Sequence, residues 1–148
     1  MPEQQTYANH TRWYPLFHFV VMPLLLLNFL EHLVRIFTNT GDARWEQVFW
    51  AVFSLAIILL ALTARLQALR VQDRVIRLEE RLRYHRLLGS ELANRAENLP
   101  VNQIIALRFA SDAELEGLVE RTLNGEFGNR TKDIKLAIKE WRGDDLRV

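Results

Sequence analysis

No cysteine occurs among the 148 residues. Disulfides, thiolate zinc sites, iron–sulfur clusters and cysteine nucleophiles are therefore excluded, and the redox compartment is left open. Net charge of one sign is missing too. Nineteen lysines and arginines against eighteen acids leave +1, which argues against a generic polyanion binder. There is no glycine-rich phosphate loop, no nucleophile elbow and no metal-type spacing of His, Asp and Glu. Glu31 and His32 are neighbours, so on a helix they point in different directions and match no zinc motif. No soluble catalytic constellation is left, and an enzyme is not expected.

What is present is unevenly spread. Apolar residues concentrate in the first 64 positions and charge lies beyond them, so the near-neutral mean hydropathy conceals two regions suited to opposite solvents. The first apolar run extends from about Trp13 to Phe37 and the second from about Trp45 to Ala64. Crossing a hydrocarbon core of roughly 30 Å takes about 20 helical residues, and both runs suffice. "VFWAVFSLAIILLALTA", Val48 to Ala64, carries no charge, and its hydroxyls are Ser54 and Thr63. Trp13, Tyr14, Trp45 and Trp50 suit an interfacial aromatic belt. Pro15 fits a first helical turn, whereas Pro23 predicts a kink. A cleaved signal peptide is the competing reading of the first run. Glu3 before Arg12 and the lack of a small-x-small cleavage site disfavour it.

The link "TNTGDAR", Thr38 to Arg44, is short and polar with a Gly41-Asp42 turn signal, which predicts an antiparallel hairpin. Arg65, Arg70, Arg74, Arg77, Arg81 and Arg83 follow the second run, while the link side offers Arg35 and Arg44. The positive-inside bias then places both termini in the cytoplasm, where the Asn-x-Thr matches at Asn9 and Asn129 carry no meaning.

From Arg65 to about Leu99 no proline intervenes, which predicts a long amphipathic helix, with Gly89-Ser90 as a plausible break. Val71, Val75, Leu78, Leu82, His85, Gly89 and Leu92 follow the alternating four-three spacing of a coiled-coil seam, and Ala61, Ala64 and Ala68 extend it backwards. Leu62, Leu66, Leu69 and Ile76 form a second stripe. This helix is expected to pack on the carboxyl-terminal segment, on a partner or on a second copy. The alternative is that it lies on the inner leaflet with its arginines on anionic headgroups. Arg86 and the six arginines named above outweigh Asp73, Glu79 and Glu80, and that surplus opposes a tight parallel homodimer.

Beyond Pro100 three short helices are expected. The first covers "VNQIIALRF", with Pro100 in its opening turn. The second is announced by Ser111 and Glu114 as a capping box, shows Leu115, Leu118, Val119 and Leu123 on one face, and ends at Asn124-Gly125. The third runs from about Lys132 to Arg142 behind Thr131, with Ile134, Ala137, Ile138 and Trp141 inward and Gly143 as its stop. So short a segment buries little core alone and should dock on the long helix, the membrane or a partner. "GEFGNRT" is too long for the turn of a helix-turn-helix, and acids outnumber bases from Ser90 onward, so no nucleic-acid partner is expected. The architecture read from sequence is all-α: a membrane hairpin over 1–64, a long basic amphipathic helix over 65–99 and a small helical segment over 100–148.

One face of the first run is polar. At 100° per residue Asn28, Glu31, His32 and Arg35 fall within about a 100° arc, with His18 some 40° beyond it. Ionisable groups in a span point to function or to protein contact. Glu31 and Arg35 can pair, Arg35 can snorkel to headgroups, and Asn28 can bond to a neighbouring helix. His18 and His32 stand about 21 Å apart along the axis, a spacing like that of diheme cytochromes of the b type. Haem ligation would need partner histidines from another chain, because the second run has none and the others are His10 and His85. Helix–helix packing is the leading reading of this face, ahead of a proton relay or haem b, and no cofactor is expected.

"YANHTRWYPLFHFVVMPLLLLN", "QIIALRFASDAELEGLVER" and "IKLAIKEWRGDDLRV" together resemble a family of small bacterial membrane proteins designated a domain of unknown function. The resemblance covers nearly the whole chain and implies a protein of the bacterial cytoplasmic membrane, with no activity or cofactor attached. The function expected is non-enzymatic: an accessory, scaffold or interaction subunit working through the polar first span and the cytoplasmic helices. Its expected partners are the bilayer, anionic headgroups and another protein or a second copy. A haem- or proton-handling redox subunit and a membrane-tethered regulator are the alternatives.

Overall fold

The computed structural model describes residues 5–9 and 13–143. Glu3, His10 and Arg12 therefore lie outside the described residues. Among those described, secondary structure is helical apart from one isolated antiparallel bridge between Ala110 and Trp141. The chain divides into two compact units, one over Trp13–Leu69 and one that takes in the described residues from Arg70 onward.

The first unit begins with a π-helical segment, Leu16–Val21, that passes directly into α1, Met22–Thr38. Pro23 explains the change of pitch. It has no N–H to give to the carbonyl four residues back, and the preceding N–H, that of Met22, reaches five residues back to Phe17 O. The irregularity expected at Pro23 thus takes the form of a wide turn just before it. Asn39 caps α1 in an extended conformation, and Gly41 takes φ +59°, a left-handed turn that suits glycine. α2, Asp42–Leu87, follows. Leu16–Thr38 and α2 are each long and apolar enough to cross a membrane. Their apolar side chains are largely uncovered, with Leu24, Leu27, Val34, Phe49 and Leu60 among the most exposed. Val21, Met22, Leu25, Phe29, His32, Leu33 and Ile36 lie on the half-buried side of the first helix.

The second unit contains the distal part of α2 with α3 (Ser90–Ala96), α4 (Val101–Leu107), α5 (Leu115–Leu123) and α6 (Thr131–Ala137). Its core is built from Tyr84 of α2 and Leu88 just past its end, with Ala93, Ala96, Ile104, Leu107, Phe109, Leu115, Val119 and Ile134. The short helices after Pro100 do dock on the long helix, and α2 contributes the largest fully buried side chain, Tyr84. Each such Leu, Ile or Phe contributes about 1.5–3 kcal/mol of burial, which four short helices cannot gather without a longer one to close over them.

Three sequence expectations are corrected here. The long helix does not reach Leu99: it stops at Leu87, and Gly89 is extended (φ −59°, ψ 149°) before α3 starts. Ser111 and Glu114 do not form a capping box, because α5 starts only at Leu115, with Glu114 itself at the N-cap. Glu114 instead accepts the backbone N–H groups of Lys139 and Glu140, each at 3.1 Å. That capture shortens α6. Helical continuation would turn those N–H groups back on the carbonyls of Lys135 and Leu136. Pulled to Glu114, the chain leaves the helix at Ile138 and pairs with the 109–111 segment: Ser111 N–H donates to Glu140 O and Arg142 N–H to Phe109 O. Trp141 therefore packs on Phe109, ring centroids 5.1 Å apart, from an extended segment, and Gly143 terminates no helix.

Candidate functional site

Two groups of polar side chains stand out, one in each unit. In the first unit the polar face of α1 meets α2. Ser54 donates its hydroxyl proton to Asn28 Oδ1 at 2.6 Å, and its oxygen also lies 2.8 Å from Trp50 O. His32 Nδ1 donates to Gln47 Oε1 at 2.8 Å, and the imidazole stacks on Trp50 at 6.3 Å. The pairing order, 28 with 54 and 32 with 47, makes the two helices antiparallel. Ala51 and Ser54 are small enough to be buried at this contact. Glu31 and Arg35 are paired at 2.7 Å one turn apart, both about half exposed.

His18 stands apart from this group. A π turn takes about one residue more than an α turn, so residues before Met22 are rotated by several tens of degrees from their places on an α wheel. His18 donates from Nδ1 to Tyr14 O at 3.0 Å and sits edge-on to Trp13 and Phe17. Asn28 and His32 are thus brought onto α2, Glu31 and Arg35 onto each other, and His18 onto its own helix. Gln47, the partner of His32, carries no motif. Its only signal in the sequence is an amide one turn from the start of an apolar run.

The second group lies in the other unit and was not anticipated from sequence. Arg83 is buried at 4% exposure, which removes it from the set expected to face headgroups. All five of its N–H groups are directed at acceptors. Nε and Nη2 reach Asp112 Oδ1 at 2.8 and 2.6 Å, and Nη2 also reaches Ala110 O at 2.7 Å. Nη1 reaches Glu80 Oε2 at 3.2 Å and Arg108 O at 3.4 Å. Glu80, equally buried, also faces Arg142 at 3.5 Å. Burial pushes the Glu80 carboxyl above its ordinary value, against the opposing pull of Arg83, Arg142 and Arg108. The hydrogen bond from Arg83 holds Asp112 below the usual carboxylate range. A small cavity of about 60 Å³ opens beside the cluster, lined by Ile76, Glu79, Glu80, Arg108, Arg142 and Gly143. One turn along, the Tyr84 hydroxyl is buried and has no hydrogen-bond partner among the described residues.

The chemistry of this cluster is that of a fastener. A planar guanidinium with every donor engaged ties α2 to the 108–112 segment. The one sequence signal was its spacing: Glu80 and Arg83 are i,i+3, on the opposite side of the helix from Val71, Val75, Leu78 and Leu82. Among the other arginines expected at headgroups, Arg81 pairs with Glu97 at 3.8 Å, while Arg70 and Arg74 are exposed. No group of three or more His, Cys, Asp and Glu among the described residues is arranged to hold a metal ion.

The fold defines an all-helical protein with two helices long and apolar enough to cross a membrane. Over residues 1–148 the sequence matches a family model described as "Family of unknown function (DUF6526)", and the chain belongs to that family. No curated protein and no solved structure matches it.

Proposed function

We propose that this chain is a non-enzymatic, two-span protein of the bacterial cytoplasmic membrane, serving as a scaffold or interaction subunit whose helical unit from Arg70 onward works in the cytoplasm. One observation carries the reading. Two polar side chains of the first apolar helix, Asn28 and His32, bond to Ser54 and Gln47 of the second, while the large apolar side chains of both helices are largely uncovered. A water-soluble protein rarely leaves so much contiguous apolar surface, and a bilayer covers it. The arginines after the second run support a cytoplasmic placement of both termini, by the positive-inside bias. The exposed arginines Arg70 and Arg74, with the half-buried Arg65, follow the second apolar run, where anionic headgroups would meet them.

A redox subunit is the second reading, favoured by the histidines themselves. Nδ1 of both His18 and His32 is engaged, which leaves Nε2 of each ring as the atom that would reach a haem iron. A regulator tethered to the membrane is the third.

The cysteine-free chain makes the test direct. Thr40→Cys and Asn94→Cys variants are labelled in intact cells with a membrane-impermeant maleimide. Labelling at 40 alone is expected, with 94 reacting after lysis; the reverse pattern, or chain washed off membranes by alkaline carbonate, defeats the membrane reading. An absorption spectrum of the detergent-purified protein, before and after dithionite, separates scaffold from redox subunit. A Soret band lost in His18→Ala or His32→Ala would replace the leading reading.

A further inference from the structure

Val71, Val75, Leu78 and Leu82 are 59%, 48%, 60% and 66% exposed, although they repeat at four, three and four residues along α2. Such spacing makes a narrow apolar stripe suited to one helical neighbour. The neighbour is not the rest of the chain, toward which the other side of α2 buries Ile76, Glu80, Arg83 and Tyr84. The stripe ends with the helix: His85 continues the spacing, but Gly89 falls beyond Leu87.

We propose that this stripe of α2, Val71 to Leu82, is a self-association seam covered by the same stripe of a second copy of the chain, the two helices running parallel. The proposal rests on the membrane reading above for its orientation, since two chains inserted the same way in one bilayer present α2 in parallel. The charges beside the stripe choose the occupant. In heptad terms Val75 and Leu82 are a positions and Val71 and Leu78 d positions. That places Arg74 and Arg81 at g, and Gln72, Glu79 and Arg86 at e. A parallel pair sets each g residue against the e residue five positions further on in the other copy. Arg74 then meets Glu79 of the second copy, twice by symmetry. Neither residue has an ion-pair partner among the described residues of its own chain. An antiparallel pair would set Arg74 against Arg81.

The next such pair, Arg81 with Arg86, joins like charges, and this is the arginine surplus that opposes a parallel dimer in the sequence. Within the fold both are compensated by their own chain. Arg81 lies 3.8 Å from the Glu97 carboxylate and also reaches Glu97 O, and Arg86 lies 3.8 Å from Asp112. His85 stands 3.6 Å from the same Glu97. Anionic lipid fits the stripe less well, because one flank carries Gln72 and Glu79 where a headgroup-facing helix carries bases. An acidic partner helix meets the same Glu79. About two heptads make a weak coiled coil by themselves; confinement of both copies to one membrane supplies the effective concentration the seam needs.

Because the chain has no cysteine, one introduced thiol reports one position. Full-length Val75→Cys and Leu78→Cys proteins, in their membranes, are oxidised with copper phenanthroline beside Glu116→Cys, an exposed site on α5. Disulfide dimers are expected at 75 and 78 and not at 116. In the Val75→Cys protein, Arg74→Glu or Glu79→Arg should each lower the dimer yield severalfold, and the two together should restore it. Crosslinking at 75 and 78 no greater than at 116, or a double reversal no better than the singles, overturns the seam. A Glu79→Arg protein that crosslinks less while its thiol at 78 becomes better shielded from maleimide would assign the stripe to lipid instead. Carbonate extraction of the same membranes keeps the two readings apart. Chain retained but not crosslinked sinks the seam alone; chain released sinks the membrane reading alone, and with it the reason for a parallel pair.

Discussion

Arg83 and Asp112 lie 29 residues apart in sequence, yet two N–H groups of the one reach a single carboxylate oxygen of the other at 2.8 and 2.6 Å. The contact fixes where the 108–112 segment crosses α2. It also fixes Ala110, whose carbonyl shares the same guanidinium and whose backbone pairs with Trp141.

Removing that guanidinium should be severe. Arg83→Met leaves the buried Glu80 carboxylate facing Arg142 at 3.5 Å as its nearest cation, and breaking a buried pair costs about 3–5 kcal/mol. Arg83→Lys should recover part of the loss, because an ammonium cannot span Glu80, Ala110 and Asp112 at once. Denaturant unfolding of the detergent-solubilised protein measures both. Equal losses for the two variants would contradict the role of the planar fork.

The two carboxylates of this cluster should titrate against each other. Asp112, held below its ordinary value of 3.8, contributes stability above that pH and loses the contribution as pH falls through its folded value. Glu80, raised above 4.5, behaves oppositely: its contribution is complete below 4.5 and declines as pH rises through the folded value. Asp112→Asn should therefore be less stable than the parent at neutral pH and converge with it in acid. Glu80→Gln should flatten the decline above 4.5. Stability–pH curves that stay parallel for parent and variants would refute the assignment.

Tyr84→Phe should be tolerated or stabilising. The ring is fully buried in the core, but its hydroxyl lacks a partner among the described residues, and an unsatisfied buried polar group costs about 1–3 kcal/mol. A rise in midpoint temperature, or none, is expected. A loss above about 1 kcal/mol, a typical net hydrogen bond, would reveal an acceptor for that hydroxyl.

The bond between Asn28 and Ser54 should be modest. Polar contacts between apolar helices in lipid average about 0.6 kcal/mol and reach about 1.7 kcal/mol. A double-mutant cycle with Asn28→Leu and Ser54→Ala, read by unfolding in bilayer-mimicking micelles, should give coupling of that order. Strictly additive losses would mean the two side chains do not meet.

The helical content, the two apolar runs and the turn at Gly41 were legible because they depend on local composition and spacing. So was the pairing of Glu31 with Arg35, a single-turn relation. The partners of Asn28 and His32 were half legible: the polar arc showed that something must meet them, but Ser54 and Gln47 are ordinary residues until two helices are placed side by side. The fate of Arg83 was hidden for a different reason. The seven arginines from Arg65 to Arg86 look alike in sequence, and only Asp112 and the carbonyl of Ala110, brought by distant chain, distinguish the buried one. The early end of α6 was equally non-local, since residues 138–142 suit a helix until the Glu114 carboxylate takes two of their N–H groups.

The wide turn at Leu16–Val21 sets the phase of everything ahead of it. One surplus residue is absorbed there without breaking the helix, so Trp13, Tyr14 and His18 face directions that no regular helix through Thr38 would give them. Deleting a single residue from this turn would leave composition and hydropathy almost untouched and let the stretch close into an ordinary α turn with the aromatic end facing much as before, whereas the same deletion within α1 would swing that end round by about 100°. The wide turn is thus the one stretch of this helix that can give up a residue without changing which neighbour the aromatic end greets.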